Sequence, residues 1–346
     1  PAAARTAGCC GRDAQAAVRP ARTALRPPCA SPPPPPAAAM GLDYEGKNIL
    51  APMVRVGTLP MRQLCLEYGA DVVYTEETID RKLRGCSRVY NTALDTVDFL
   101  DHQQRLAFRL SPRERERCVL QLGSSDAAAA VEAAAVAARD VAAVDLNMGC
   151  PKGFSVQMGA GAALLKTPEV AEDILKSLRR TLPAEVGLSC KVRLLPSVQD
   201  TVELARRLER CGIDALGVHG RYVHERPREP AHWDLVADVV KAVQVPVVAN
   251  GDCFCHADFD RMRAATGAAA VMTARAAQWN ASVFRAEGLL PLDEVAAAYL
   301  RKCFEVDNPC HNAKYCLKEM LIHSGKAVLE CPDGWAINKC KTLADL

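Results

Sequence analysis

Residues 143–165 read AVDLNMGCPKGFSVQMGAGAALL. Val144 and Leu146 belong to a short apolar run with few charges, which predicts a buried strand. The run breaks at Gly149-Cys150-Pro151, and a loop holding Gly159 and Gly161 leads into the start of an Ala/Leu helix. A strand closed by a Gly-X-Pro turn presents the middle side chain at the carboxyl rim of its sheet, where α/β folds build their chemistry. Here that side chain is a thiol. Free cysteine also packs as a small hydrophobe, so turn geometry alone leaves Cys150 open between a structural thiol and a functional one.

The strand-then-helix pattern repeats on both sides of this stretch. Short apolar runs predict strands near 48–53, 71–76, 118–123, 143–148, 187–193, 215–219, 246–250 and 270–275. The segments between them predict helices at 59–68, 126–139, 168–180, 199–211, 233–243, 257–265 and 280–287. Eight such units in about 250 residues predict an α/β fold of the TIM (β/α)8 barrel type rather than an open sheet. The Arg- and Lys-bearing stretch 81–117 interrupts the pattern and is expected to be an insertion with surface strands on the active-site side. After Pro291 only helical patterning remains, at 293–304 and 312–322. The expected organisation is therefore a catalytic barrel at 40–290, a small, truncated all-helical domain at 291–323, and a divergent tail at 324–346 without helical periodicity.

The chain has 346 residues, 49% of them hydrophobic and 24% charged, the profile of a soluble globular protein. It contains no apolar run of the length a membrane span needs. Its 16 cysteines are scattered through predicted helices and strands of a large chain, which favours reduced thiols over a disulfide framework. Cys253-X-Cys255-His256 lacks a second ligand pair, so no metal site is expected.

Residues 1–39 carry five arginines against one aspartate, so of the net +2 this segment holds +4 and the remainder −2. With its Pro32–Pro36 run it is expected to be disordered or polyproline-like. It shares the Arg-rich, acid-poor composition of a mitochondrial transit peptide. The prolines suit an amphipathic helix badly, and Met40 reads as a natural start. The segment is therefore taken as an extension rather than a targeting signal, and a cytoplasmic location is expected.

Asn147-Met148-Gly149-Cys150-Pro151-Lys152, followed by Gly159-Ala160-Gly161-Ala162-Ala163-Leu164-Leu165, resembles the signature of the tRNA-dihydrouridine synthases, flavin enzymes that saturate the uracil ring in tRNA. Ile49–Arg55, Gln121-Leu122-Gly123, Lys191-Val192-Arg193, Val218–Arg221, Ala249-Asn250-Gly251 and Thr273-Ala274-Arg275 match in the family's order, from about residue 40 to 322. The resemblance is nearest to the eukaryotic cytosolic branch that acts at position 20 of the D-loop. It implies a flavin, NADPH as electron donor and tRNA as partner; with one phosphate site and no dinucleotide fingerprint after a strand, FMN is the expected cofactor, and a monomeric protein is expected.

Barrel phosphate sites lie in the loops after strands seven and eight, here Asn250-Gly251-Asp252 and Ala274-Arg275-Ala276. Gly251 allows close backbone approach and Arg275 offers paired donors, while Asp252 stands where the resemblance implies a second glycine. Lys191 ends an apolar run and needs a counter-charge; the resemblance implies the anionic side of a reduced flavin. Gln121, Asn147 and His219 are strand ends expected to contact the ring, and Ala51, Pro52 and Met53 are expected to line it.

Cys150 is then expected to be the general acid, since a thiol of ordinary pKa, about 8.5, is mostly protonated at neutral pH. Lys152 nearby keeps a covalent thiolate role as the alternative. Gln157 and Met158 depart from the family's basic, Gly-rich loop. Candidate grips on the tRNA backbone are Arg55, Lys152, Arg221 and Lys314, with Arg81, Lys82, Arg84, Arg226 and Arg228 as further cations. The position-20 branch carries a double-stranded-RNA-binding module further on; none is read in these residues, so weak tRNA binding is expected. Two other readings remain: a flavin barrel reducing a small pyrimidine or enone, and a catalytically impaired binding protein.

Overall fold

The computed structural model describes residues 41–323 and 332–346. The expected disordered extension 1–39 and part of the divergent tail, 324–331, lie outside the described residues.

The chain runs through β1 (Asn48–Leu50), α1 (Leu59–Glu67), β2 (Val72–Tyr74), β3 (Thr78–Ile79) and α2 (Asp80–Leu83), then an excursion of β4 (Ser87–Asn91), β5 (Thr96–Leu100) and β6 (Leu106–Leu110). It continues with β7 (Cys118–Gly123), α3 (Ala127–Ala137), β8 (Ala143–Met148), α4 (Gly153–Val156), α5 (Pro168–Thr181), β9 (Gly187–Leu194), α6 (Val198–Glu209) and β10 (Ala215–Tyr222). The barrel ends with α7 (Trp233–Ala242), β11 (Val247–Asn250), α8 (His256–Thr266), β12 (Ala270–Thr273) and α9 (Arg275–Trp279). Then come α10 (Leu292–Glu305), α11 (Cys310–His323) and α12 (Pro332–Lys339).

Eight parallel strands close on themselves in the order β2-β1-β12-β11-β10-β9-β8-β7, with β2 pairing β7. This is the expected (β/α)8 barrel. Every residue of β7 and β8 is buried, as a strand covered on both faces requires. Tyr44, Ile49, Tyr74, Val119, Val248 and Met272 form an inner cluster, distinct from the larger core between strands and helices. The helices dock by their apolar stripes. On α6, Thr201, Leu204, Ala205 and Leu208 are buried, and the Ser197 side chain accepts the N–H of Asp200 as the N-cap. Among the described residues no helix is long and apolar enough to cross a membrane.

Two expectations are corrected and one is filled in. The strands expected in the 81–117 insertion form an antiparallel sheet, β4-β5-β6. Between β2 and β7 the one α-helix among the described residues is the four-residue α2, with a 3-10 turn at Pro112–Arg117. Val97, Phe99, Phe108 and Leu110 fill the resulting gap in the helix layer. Arg88 pairs with Asp140 at the foot of β8 at 2.6 Å, while Leu106–Arg109 reach up to Arg55 and Glu76.

The helix expected at 280–287 does not form. The Asn280 side chain accepts the N–H of Ser282 at 3.0 Å, and such a local bond competes with helix. The result is the short α9 and a 3-10 turn at Ala281–Phe284. The tail is not wholly without helix either. Proline is at home in a first helical turn, and Pro332 starts α12, with Ile337 and Leu343 packed on the core.

Candidate active site

Asn147, next to last in β8, folds the turn that follows it. Its Oδ1 accepts the backbone N–H groups of Gly149 and Cys150, each at 2.9 Å. Its Nδ2 donates to Gln121 Oε1 at 3.0 Å, and Gln121 Nε2 donates to Asp145 Oδ2 at 2.9 Å. Ser189 Oγ closes the chain on Asp145 Oδ1 at 2.7 Å. Buried amides need such partners, and this set ties three adjacent strands to the geometry of one turn. Burial pushes the Asp145 carboxyl up to about 6 against the donors Gln121 and Ser189 and the charge of Lys191.

Cys150 is partly buried. Burial first, and then the Glu77 charge, push its thiol up to about 11, while the Lys152 backbone N–H and Arg193 pull the other way. At neutral pH this cysteine carries its proton. The turn is tightly built. Gly161 has φ +59°, and a Cβ there would lie 2.4 Å from Ser155 Oγ and 2.7 Å from the Cys150 carbonyl oxygen. Arg193 braces the turn from β9, its Nε donating to Gly149 O at 2.9 Å and its Nη1 to Tyr222 O at 3.1 Å.

Lys191 lies opposite Asn147 in the β8–β9 register. Among the described residues its ammonium has no hydrogen-bond or ion-pair partner. Burial and Arg193 bring it down to about 8, with Asp145 opposing. On β10, burial together with Lys191, Arg193, Arg221 and Arg275 holds His219 well below the usual imidazole range, so it is neutral. Arg221 Nη1 lies 3.3 Å from His219 Nε2.

After β11 and β12 the rim forms an anion cradle. Gly251 has φ +128°, and a Cβ there would lie 2.8 Å from Ala231 Cβ. Asp252 Oδ1 accepts from both Arg221 and Arg275, the latter at 2.7 Å, and its Oδ2 accepts the N–H of Ala231 at 2.7 Å. Asn250 Nδ2 donates to Met272 O at 2.8 Å. The Arg275 guanidinium also lies 5.2 Å from the Phe254 ring centre and 5.9 Å from that of Trp279. A cavity of about 330 Å³ opens here, lined by Met53, Lys152, Arg193, His219, Ala274 and their neighbours.

The structure thus gathers Met53, Lys152, His219, Asn250, Gly251, Asp252, Ala274 and Arg275 around one cavity. Gln121, Asn147 and Lys191 stand at the ends of neighbouring strands of the same barrel. Ala51 and Pro52 follow β1, with Ala51 N donating to Thr273 O at 2.8 Å. Arg55 is exposed, at φ 67°, its carbonyl held by Asn312 Nδ2 at 2.6 Å and its guanidinium 5.4 Å from the Tyr315 ring centre.

Two of the expected tRNA grips are placed differently. The Arg221 side chain is only 4% exposed and belongs to the anion cradle. Lys314 donates to Asn338 O at 2.9 Å and Cys340 O at 2.7 Å, so it caps the end of α12.

Glu77 is a neighbour of Cys150 that the sequence reading passed over. It lies between β2 and β3, is 8% exposed, and accepts from Ser155 Oγ at 2.7 Å. Its one visible signal was an acidic pair, Glu76-Glu77, just after the buried strand Val72–Tyr74.

The sequence pattern of the dihydrouridine synthase (Dus) family matches residues 49–327. A tRNA-dihydrouridine(20) synthase (NAD(P)+) of Schizosaccharomyces pombe is 40% identical over 289 residues, covering 81% of this chain and 60% of that protein. The protein of the same description from Saccharomyces cerevisiae is 42% identical over 220 residues, covering 60% of this chain and 57% of its own. A human tRNA-dihydrouridine(20a/20b) synthase (NAD(P)+)-like protein is 27% identical over 247 residues, covering 71% and 73%. The chain spans 57–60% of the length of the first two relatives.

Proposed function

Because the chain belongs to the dihydrouridine synthase family, we propose that it reduces uridine in tRNA, at position 20 of the D-loop, to 5,6-dihydrouridine, with FMN as its flavin and NADPH as electron donor. The observation that carries this reading is a thiol kept protonated at the barrel rim, on the same rim as an unpaired lysine ammonium and a two-arginine anion cradle.

The residues fit a flavin mononucleotide. The Asp252 carboxylate already occupies the cradle of Arg221 and Arg275 as a phosphate-like anion, and Gly251 leaves the space a Cβ would take. Arg221, Arg275 and Gly251 would hold the phosphate. Lys191 would supply positive charge to the ring, Gln121 and Asn147 their remaining amide valences, and Ala51, Pro52 and Met53 a backbone wall. When bound, the flavin supplies the hydride that NADPH provides.

Saturating a carbon–carbon double bond takes a proton as well as a hydride. Cys150 gives that proton: its S–H bond breaks, a C–H bond forms on the base, and a thiolate remains. Burial keeps the thiol protonated until then. The uracil must leave its stack to reach a group at the rim. Exposed Phe154 and Lys152 beside the turn offer it an apolar face and a phosphate contact.

The test is an unmodified tRNA transcript incubated with the protein, FMN and NADPH, then digested to nucleosides. Dihydrouridine at position 20 is expected. A protein that binds FMN, lets NADPH reduce it, and leaves the tRNA unchanged would overturn the reading.

A further inference from the structure

Beside the Cys150 turn lies a carboxyl group that the chemistry above does not use. Glu77 is more than nine-tenths buried. Its Oε1 is held by Ser155 Oγ, and its Oε2 has no hydrogen-bond partner among the described residues. Space for it is reserved on two sides. A Cβ on Gly123 would lie 2.5 Å from Glu77 Oε1, and a Cβ on Gly161 would lie 2.4 Å from Ser155 Oγ and 3.2 Å from Cys150 Cβ. Carboxyl, hydroxyl and thiol are thus packed into one cluster whose walls are glycines.

A buried carboxyl oxygen left without a partner is costly and calls for a function. The group within its influence is the Cys150 thiol. The carboxylate raises the thiol's pKa, and Ser155 and the thiol lower that of the carboxyl against its burial, as two groups set against the same Ser155–Gly161 wall would. Arg193 and Lys191 face the thiol from β9 and favour the thiolate.

We propose that Glu77 is a proton-return residue for Cys150, passing its thiol a new proton after each turnover. The role rests on the reading of Cys150 as proton donor. Once the S–H proton has gone to the base, a thiolate stands next to a carboxylate, and like charges so close are not both retained. Glu77 takes up one proton from bulk solvent, the proton that the overall reduction consumes. It then hands that proton to Sγ, and the thiol and carboxylate are restored with Ser155 as donor. No electrons move in this step.

The experiment uses the purified FMN-loaded protein and follows alkylation of the Cys150 peptide by iodoacetamide across pH. Glu77→Gln removes the negative charge at constant size. It is expected to lower the alkylation midpoint by about half a pKa unit, hence about threefold more reactive thiolate at fixed pH. Glu77→Asp is expected to retain part of the wild-type midpoint. Ser155→Ala weakens the carboxylate and should shift the midpoint the same way by less, which keeps a test should the Gln variant fail to fold.

In the tRNA assay, Glu77→Gln is expected to keep the first turnover and slow the later ones. An unshifted alkylation profile in Glu77→Gln or Ser155→Ala would overturn the proposal. So would equal loss of first and later turnovers. The alkylation arm needs no tRNA reduction, so it judges Glu77 even where the proposed function fails.

Discussion

Asn147 Oδ1 accepts the backbone N–H of Cys150 at 2.9 Å, so the next-to-last residue of the strand also folds the turn presenting the thiol. The same oxygen holds the N–H of Gly149, and Nδ2 anchors the group to Gln121. The amide expected to serve a cofactor ring is thus first a builder of the site.

Replacing Asn147 should separate these duties. Asn147→Ala leaves two turn N–H groups without their acceptor and is expected to cost about 1–3 kcal/mol of stability, with dihydrouridine formation lowered about tenfold or more. Asn147→Asp keeps the acceptor and should retain more of the turn while losing the donor to Gln121. Thermal melting together with single-turnover rates checks both. An alanine variant of full activity would show that the turn holds itself.

Asp252 places a carboxylate where a phosphate would sit. Arg221 and Arg275 both donate to it, so an incoming phosphate competes with an internal anion. Asp252 lies at φ 59°, a conformation that asparagine tolerates, which makes Asp252→Asn a mild substitution. It is expected to tighten FMN binding about tenfold, measured by quenching of flavin fluorescence. Weaker binding would mean that the carboxylate holds the arginines in place for the phosphate.

Lys191 gives the pH dependence its sign. Burial brings its ammonium down to about 8, so the cation is present below that pH and lost above it. A ligand that needs the positive charge binds with uptake of a proton on the alkaline side. FMN affinity, read from reduced flavin, is therefore expected to fall as pH rises through 8, and Lys191→Met should flatten that fall. The free protein behaves oppositely. The unfolded chain binds more protons between pH 8 and the ordinary lysine value, about 10.4, so this residue's contribution to stability rises across that window.

What could be read from the chain follows from how far apart the partners are. The barrel strands were legible because each is buried on both faces and therefore apolar almost throughout, as in Val247–Asn250. Cys150 was legible because Gly149 and Pro151 mark its turn locally. Glu77 was not, because its partner Ser155 lies 78 residues away. Lys314 and Arg221 looked like surface cations in the sequence. Only the folded chain shows the first spent on the end of α12 and the second drawn into the cradle. The break at Asn280 likewise turned on one side-chain bond that apolar periodicity does not register.

The central claim is that Cys150 acts as an acid on the base and on nothing earlier. The most direct measurement follows the Cys150→Ala variant in two anaerobic experiments: stopped-flow reduction of bound FMN by NADPH, and dihydrouridine formation when tRNA meets the reduced enzyme. The account predicts flavin reduction within about twofold of wild type and dihydrouridine formation slowed by about 100-fold or more, the usual weight of a positioned acid. Loss of flavin reduction to the same degree as loss of dihydrouridine, or tRNA reduction at the wild-type rate, would contradict it.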